Sequence, residues 1–186
     1  MFKFDKLVFG DLGWGDELLF ATLMTITVSI LSMGLGLCLA IITVWAKLIT
    51  NRITRLIANF YTTVVRGVPE LLVIYLIFFG GNSVVMGVAK LFGYNGYIEL
   101  NALTIGTIAI AFISATYSSE VIRAAYLAVN KGQVEAAKAL GLNKIQIFLR
   151  VMGPQIIRYA LPGIGNVWQI TLKDTSLISV TGLVEI

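Results

Sequence analysis

Few side chains in this sequence could carry out acid–base, nucleophilic or metal chemistry. The chain has no histidine and a single cysteine, Cys38, which lies in an apolar run. These counts exclude a disulfide framework, a Cys/His zinc site and a histidine-based catalytic triad. No paired aspartates stand at facing positions of the apolar segments, which argues against an intramembrane enzyme. We therefore expect no catalytic residue and no bound metal.

Glu120 is the first ionisable residue that invites a function. It follows a long uncharged segment and stands three residues before Arg123. A charged group at membrane depth is costly and is a functional candidate by default. One hypothesis is that Glu120 provides a counter-charge for a cationic substrate. The alternative is an intrahelical ion pair with Arg123 near the membrane surface.

A second polar group, residues 173–176, interrupts the apolar C-terminal part of the chain. It could hold the ammonium and carboxylate groups of a substrate. Alternatively, Lys173 and Asp174 neutralise each other where a half-helix ends. Trp168 could line the same cavity or anchor the chain at the membrane interface. The candidate substrate path comprises Tyr117, Glu120, Asn166, Gln169, Asp174 and Thr175.

Membrane-spanning helices are the elements predicted to position these residues. Hydrophobic residues make up 58% of the chain and charged residues 13%, and the mean hydropathy is +0.88. This apolar fraction exceeds that of ordinary soluble domains. Three uncharged stretches are long enough to cross a bilayer, at residues 18–46, 71–89 and 100–119. Residues 1–17 are predicted to form a short amphipathic lead-in at the membrane surface.

The remaining apolar segments are less regular. Residues 53–65 could lie along the membrane interface or begin the next helix. Pro69 suits the first turn of a helix and Glu70 suits the positive end of its dipole. Arg66 and Glu70 are therefore interpreted as fixing a helix start. Residues 159–172 are uncharged but short, and Pro162 and two nearby glycines predict a broken helix.

Residues 130–154 form a polar, cationic island between the apolar segments. Good helix formers at 133–140 predict one short helix, which Gly141 ends. Asn143 and Gln146 predict a capping box for a second helix, which Pro154 is expected to halt. A DNA-reading helix-turn-helix would need polar residues on the second helix. Apolar residues dominate it here, so no nucleic-acid partner is expected.

The distribution of Lys and Arg predicts the orientation of the chain. Four of these residues lie within 47–66 and six lie between Arg123 and Arg158, whereas the loop after the second span has only Lys90. By the positive-inside rule the two basic segments are cytoplasmic. The N-terminus is then outside, and alternation through three spans gives the same result.

The polar island resembles the EAA signature of the permeases of binding-protein-dependent ABC importers. The resemblance rests on Glu135-Ala136-Ala137, Gly141, Val151 and the pair Gly153-Pro154, where the family usually has Leu-Pro. Further blocks resemble the polar amino-acid subgroup of that family, in particular its histidine, lysine/arginine/ornithine and opine permeases. These blocks begin at Arg66, Tyr117, Val129, Tyr159 and Leu172.

The resemblance implies an all-α polytopic membrane bundle with the type I ABC importer permease fold, over residues 18–186. The family normally has one more transmembrane helix, so the resemblance implies that the chain ends before it. Residues 130–154 would be the cytoplasmic loop that couples to the ATPase. The coupling residues would be Glu135, Ala136, Ala137, Gly141 and Leu142.

The resemblance also implies the partners. They are a dimer of ATPase subunits, a sister permease chain or a second copy, and a periplasmic or lipoprotein solute-binding protein. The sequence has no phosphate-binding P-loop motif, so we expect ATP and Mg²⁺ to be bound by the ATPase and no cofactor by this chain. The expected function is ATP-driven import of polar, basic amino acids across a bacterial inner membrane. The alternative is an ion-coupled secondary carrier or channel.

Overall fold

A computed structural model describes residues 13–91, 93 and 101–179. All regular elements in these ranges are helices, in the order α1 Gly15–Leu48, α2 Arg52–Gly67, α3 Glu70–Leu91, α4 Ala102–Ala128, α5 Lys131–Ala139, α6 Lys144–Ile147 and α7 Gly153–Ser179. A π-helical segment, Phe148–Met152, joins α6 to α7 without a break. The predicted all-α architecture is confirmed.

Helix α4 is the centre of the bundle, because α1, α2, α3 and α7 all pack against it. Its most extensive contact is with α1, where small residues allow the two backbones to approach closely. Ser32, Gly36 and Ala40 of α1 are all buried, and the Ser32 hydroxyl donates to the Thr107 carbonyl of α4 at 3.1 Å. This stripe of small residues therefore serves packing within the chain.

Three helices are long and apolar enough to cross a membrane, over Gly15–Leu48, Glu70–Leu91 and Leu103–Ala128. They coincide with the three predicted spans, although the third helix extends well beyond Ser119. Of the predicted lead-in, residues 15–17 form the first turn of α1 and residues 1–12 lie outside the described residues. Most of the predicted loop at 90–101 also lies outside them.

Helix α2 is separate from α3 and has three distinct faces. Asn51 caps its N-terminus by accepting from the Ile53 N–H at 2.9 Å. One face is buried against the bundle through Ala58, Thr62 and Val65. A second face is apolar and exposed, as shown by Ile57 and other large residues, whereas the basic residues Arg52, Arg55 and Arg66 lie on a third. Such a helix suits a membrane interface.

The C-terminal apolar segment is not broken, which corrects the prediction for residues 159–172. Helix α7 runs from Gly153 to Ser179 with Pro162 in its interior. A proline removes one backbone donor from a helix, and the packing of α7 against α4 outweighs that loss. Gly163 serves this packing, because a Cβ there would lie 2.6 Å from Cγ1 of Val121. Lys173 and Asp174 therefore lie inside a helix and not at its end.

Pro154 does not halt the second helix of the polar island, which is a further correction. The Gly153 N–H donates to the Phe148 carbonyl, five residues back, so the chain passes through a π turn just before the proline. A π turn widens the helix and disrupts the ordinary bonding ladder at the place where Pro154 has no N–H to offer. The helix therefore continues into α7.

Candidate functional site

The polar island folds as a helical hairpin, α5 and α6, with a defined turn. The Asn130 side chain caps α5 by accepting from the Gly132 N–H at 2.8 Å. Gly141 ends the helix with φ 75°, a conformation that glycine adopts without strain. Its N–H donates to the Lys138 carbonyl at 2.9 Å and the Leu142 N–H donates to the Ala137 carbonyl at 3.2 Å. These two bonds form a Schellman motif, so the predicted stop at Gly141 is confirmed.

The second helix of the hairpin begins with the predicted capping box. Asn143 accepts from the Gln146 N–H at 2.9 Å, and the Gln146 side chain accepts from the Asn143 N–H at 3.0 Å. Gln155, on the first turns of α7, donates to the Gln133 side chain of α5 at 2.6 Å. The hairpin is thus tied to α7 by a continuous backbone and by a side-chain hydrogen bond.

The five predicted coupling residues differ in their exposure. Glu135, Ala136 and Gly141 are exposed and Leu142 is half-buried, whereas Ala137 is buried. The Ala137 methyl group therefore packs inward and is not offered to a partner. Glu135 also lies in the wall of a cavity of ≈ 300 Å³ between the end of α4 and the hairpin. Large apolar residues around the hairpin are exposed, namely Leu140, Ile145, Phe148 and Leu149.

Glu120 is the centre of a partly buried ion cluster near the end of α1. Its carboxylate forms an ion pair with Lys47 of α1 and a second with Arg123 at 2.8 Å. Lys47 also donates to the Thr62 hydroxyl of α2 at 2.7 Å, and its side chain is only 4% exposed. The intrahelical pair with Arg123 is thus formed, and two cations already compensate the Glu120 charge.

A second polar cluster joins α2, α3, α4 and α7. The Tyr117 hydroxyl of α4 donates to Oε1 of Glu70 at 2.9 Å. Asp174 of α7 is 7% exposed, and its carboxyl group lies near Glu70. The Arg66 guanidinium lies over the Tyr117 ring, 5.4 Å from its centroid. Two acidic groups from different helices therefore meet beside an aromatic residue.

An open cavity connects the surroundings of these two clusters. Its volume is ≈ 520 Å³, and its wall includes Tyr117, Glu120 and Arg66. The remaining wall comes from Thr62, Thr63 and Gly67 of α2. The cavity is large enough to accept an amino acid, and its wall carries both positive and negative side chains.

The structure does not bring every candidate path residue to these clusters. Asn166 and Gln169 are exposed on α7, as is Trp168, and neither polar side chain joins the hydrogen bonds of the two clusters. The Thr175 hydroxyl donates to the Leu172 carbonyl of its own helix at 2.7 Å. Among the described residues, no group of three or more His, Cys, Asp or Glu side chains could hold a metal ion.

Lys47, Thr62, Arg66 and Glu70 belong to the site but were not among the predicted path residues. The sequence marks Arg66 and Glu70 only as the start of a helix, which Glu70 does begin. Arg66 and Glu70 stand four residues apart on either side of Pro69, and this spacing of opposite charges is the feature of the sequence that could have marked them as site residues. Lys47 was visible as the first charge after the uncharged run of the first span, but its partner Glu120 lies 73 residues away.

Comparisons with known proteins agree with this architecture. The family of binding-protein-dependent transport system inner membrane components matches residues 32–185. The nopaline transport system permease protein NocQ of Agrobacterium fabrum is 52% identical over 181 residues, which cover 97% of this chain and 77% of that protein. The histidine/lysine/arginine/ornithine transport system permease protein HisQ of Escherichia coli K12 is 40% identical, over 94% of this chain and 76% of that protein.

A solved structure is similar in fold as well as in sequence. It is described as the crystal structure of an amino acid ABC transporter with histidines. The matched region covers 93% of this chain and 78% of the chain in that structure. The TM-score is 0.70 at 28% identity. The chain therefore belongs to the family of binding-protein-dependent transport system inner membrane components, and it is a permease of that family.

Proposed function

We propose that this chain is the permease subunit of an ATP-driven importer for basic amino acids or the opines related to them. The observation that carries the substrate class is the proximity of Glu70 and Asp174, with Glu70 hydrogen-bonded to Tyr117 of the cavity wall. Among the described residues, no Lys or Arg side chain forms an ion pair with either carboxyl group. A cationic group of a substrate would supply the missing positive charge. Relatives that transport nopaline or histidine, lysine, arginine and ornithine support this class.

Arg66 gives the same cavity a group for the other end of an amino acid. It is exposed and lies in the cavity wall next to Tyr117. A guanidinium binds a carboxylate through two parallel hydrogen bonds. We assign the substrate carboxylate to Arg66 and the cationic group to the acidic pair. Glu120 has two cationic partners already, so we assign it to the support of the cavity wall.

The hairpin of α5 and α6 is proposed to couple the permease to the ATPase on the cytoplasmic side. Its exposed apolar residues, such as Leu140, favour a protein partner over water. The π-helical junction carries a displacement of the hairpin directly into α7, which holds Asp174. Closure of the ATPases would thus move a helix that contributes to the acidic pair, and would alternate the access of the cavity.

The proposed assembly contains two ATPase subunits, a second permease chain and an external solute-binding protein in a bacterial inner membrane. The histidine and opine relatives favour a sister permease over a second copy of this chain. ATP and Mg²⁺ would be bound by the ATPases and no cofactor by this chain. The N-terminus would face outside and the hairpin the cytoplasm, as the positions of Lys and Arg indicate.

Uptake of labelled arginine into proteoliposomes that hold the complete importer tests this function. We expect uptake that depends on internal ATP, and a loss of at least tenfold in the variant Glu135→Lys with Gly141→Pro. The matched control is Glu17→Lys, which reverses an exposed charge on the first turn of α1. Uptake that ignores ATP and follows a sodium or proton gradient would instead identify a secondary carrier.

A further inference from the structure

Helix α2 has an exposed apolar strip, formed by Ile53, Leu56, Ile57 and Phe60. Each of these side chains is 62% to 69% exposed. They are spaced three or four residues apart, so they lie on one side of the helix. A contiguous apolar surface of this kind marks an interaction with a protein or a membrane. The strip therefore needs an occupant that shields it from water.

A cationic strip, Arg52 and Arg55, lies beside the apolar strip. Both arginines are exposed, and α2 contains no Asp or Glu. Within the described ranges the ion pairs both involve Glu120, so no carboxylate in those ranges neutralises either arginine of the strip. An occupant that covers both strips must therefore combine an apolar surface with negative charge.

The depth of α2 favours a membrane over a protein as this occupant. Trp45, in the last turn of α1, is 67% exposed, and exposed tryptophans at the ends of spans lie at the level of lipid headgroups. Helix α2 begins at Arg52, four residues after α1 ends at Leu48. It thus starts close to that level, where phospholipids offer headgroups and acyl chains side by side. Membrane leaflets that contain anionic lipids attract basic segments in this position.

We propose that α2 binds anionic phospholipids at the cytoplasmic membrane surface, with Arg52 and Arg55 on phosphate groups and the apolar strip among acyl chains. This contact is distinct from the substrate site. Other residues of α2 nevertheless reach that site, because Thr62 accepts from the buried Lys47 at 2.7 Å and Arg66 lies in the cavity wall. Lipid bound to α2 would hold the helix against the bundle and keep both groups in place. Only this effect on transport rests on the proposed function.

Fluorescence quenching by lipids in the reconstituted importer tests the contact. Phe60→Cys, in a Cys38→Ala importer with no other cysteine, carries a fluorophore within the apolar strip. Nitroxide-labelled phosphatidylglycerol should quench it more strongly than nitroxide-labelled phosphatidylcholine, and salt should weaken this preference. Arg52→Gln with Arg55→Gln should reduce the preference by up to about fivefold for each arginine removed. The control is a label at Ile30→Cys, exposed in the middle of α1, where both lipids should quench alike.

Two results at position 60 would overturn the proposal. Equal quenching by the two lipids would show that the strips have no preference for negative charge. An absence of quenching by either lipid would show that protein covers α2, for example a second permease chain.

Uptake measures the effect of the lipid on transport. ATP-dependent arginine uptake should rise with the fraction of phosphatidylglycerol in phosphatidylcholine vesicles. Arg52→Gln with Arg55→Gln should remove this rise, whereas Arg52→Lys with Arg55→Lys should keep it because the charge is kept. Lys90→Gln, at an exposed position of α3, should behave as the wild type. A rise that persists without the two arginines would overturn their role in transport. An importer that is inactive in every lipid, with the quenching preference intact, would count against the proposed function and not against the lipid contact.

Discussion

Lys47 and Glu120 show what a buried charge requires at the scale of single residues. Each would be costly to bury alone, because desolvation of an ion in a protein interior costs several kcal/mol after relaxation. Here Lys47 is enclosed by Glu120 of α4 and Thr62 of α2, which links three helices at one point. Arg123 adds a second partner to the carboxylate. The cluster is therefore a structural junction next to the proposed substrate cavity.

Removal of one partner from this junction should be more harmful than removal of both. We expect Lys47→Met to lower the free energy of unfolding by about 3 kcal/mol, because it leaves the partly buried Glu120 carboxylate with Arg123 alone. The double variant Lys47→Met with Glu120→Gln should cost less than the sum of the two single variants. The midpoint temperature of the detergent-solubilised complex measures this. Strictly additive shifts would show that the pair contributes nothing as a pair.

The same variants test whether Glu120 only stabilises the structure or also binds substrate. If Glu120 only supports the cavity, arginine uptake per folded importer should fall less than about threefold in Glu120→Gln. Adding Lys47→Met to Glu120→Gln should then restore part of the stability that Glu120→Gln loses. Asp174→Asn should abolish arginine uptake by the same measure. Selective loss of cationic over neutral amino-acid uptake in Glu120→Gln would revive the counter-charge hypothesis for Glu120.

The contact of α1 with α4 determines how the elements of the bundle fit together. Gly36 faces Ser114 so closely that a Cβ at residue 36 would collide with the serine hydroxyl, and the Ala111 carbonyl would be 3.1 Å away. At Gly34, two residues earlier on the same helix, a Cβ would have no heavy atom within 4 Å apart from its chain neighbours and the backbone of its own helix. The two glycines therefore form a matched pair with opposite surroundings.

We expect Gly36→Ala to destabilise the permease by roughly 1–3 kcal/mol, since the added methyl group overpacks the helix interface. Gly34→Ala should be neutral or slightly stabilising, because alanine favours the helix. Thermal midpoints of the two purified variants give the comparison. Combining Gly36→Ala with Ser114→Gly should recover part of the loss. Equal midpoints for Gly36→Ala and Gly34→Ala would mean that the two helices do not pack in this way.

At the scale of elements, the sequence predicts those features that depend on neighbouring residues. The capping box of Asn143 and Gln146 and the stop at Gly141 were predicted correctly, because all their hydrogen bonds join residues at most five apart. The continuity of α7 was not, because local rules for Pro154 and Pro162 favour a break. Packing against α4 and a π turn override those rules, and neither is visible in local sequence.

At the scale of the whole molecule, the three spans were predictable because uncharged length is a property of the sequence itself. The polar clusters were only half predictable. Tyr117, Glu120 and Asp174 stood out by their residue types, but their partners lie far away in the chain. Glu70 is 47 residues from Tyr117 and Lys47 is 73 residues from Glu120. Only the packing of the helices shows which polar and charged side chains contact each other.

The orientation of the molecule depends on how many helices cross the membrane. Helix α2 has 16 residues, about 24 Å, which is shorter than a hydrocarbon core of about 30 Å. If α2 does not cross, then α1, α3 and α4 alternate and Arg52 lies on the same side as Lys138, opposite Lys90. If α2 does cross, then Arg52 and Lys90 share one side and Lys138 lies on the other. The two arrangements are thus distinguished by three exposed positions.

Cysteine labelling of intact cells decides between these arrangements. Cys38 is first replaced by alanine, because it is exposed on α1, and single cysteines then replace Arg52, Lys90 and Lys138 in turn. A membrane-impermeant maleimide should label Lys90→Cys in intact spheroplasts, but Arg52→Cys and Lys138→Cys only after permeabilisation. This result follows from three crossings and from the cytoplasmic location of basic segments. Labelling of Lys138→Cys in intact spheroplasts would place the hairpin outside and would separate it from any cytoplasmic ATPase.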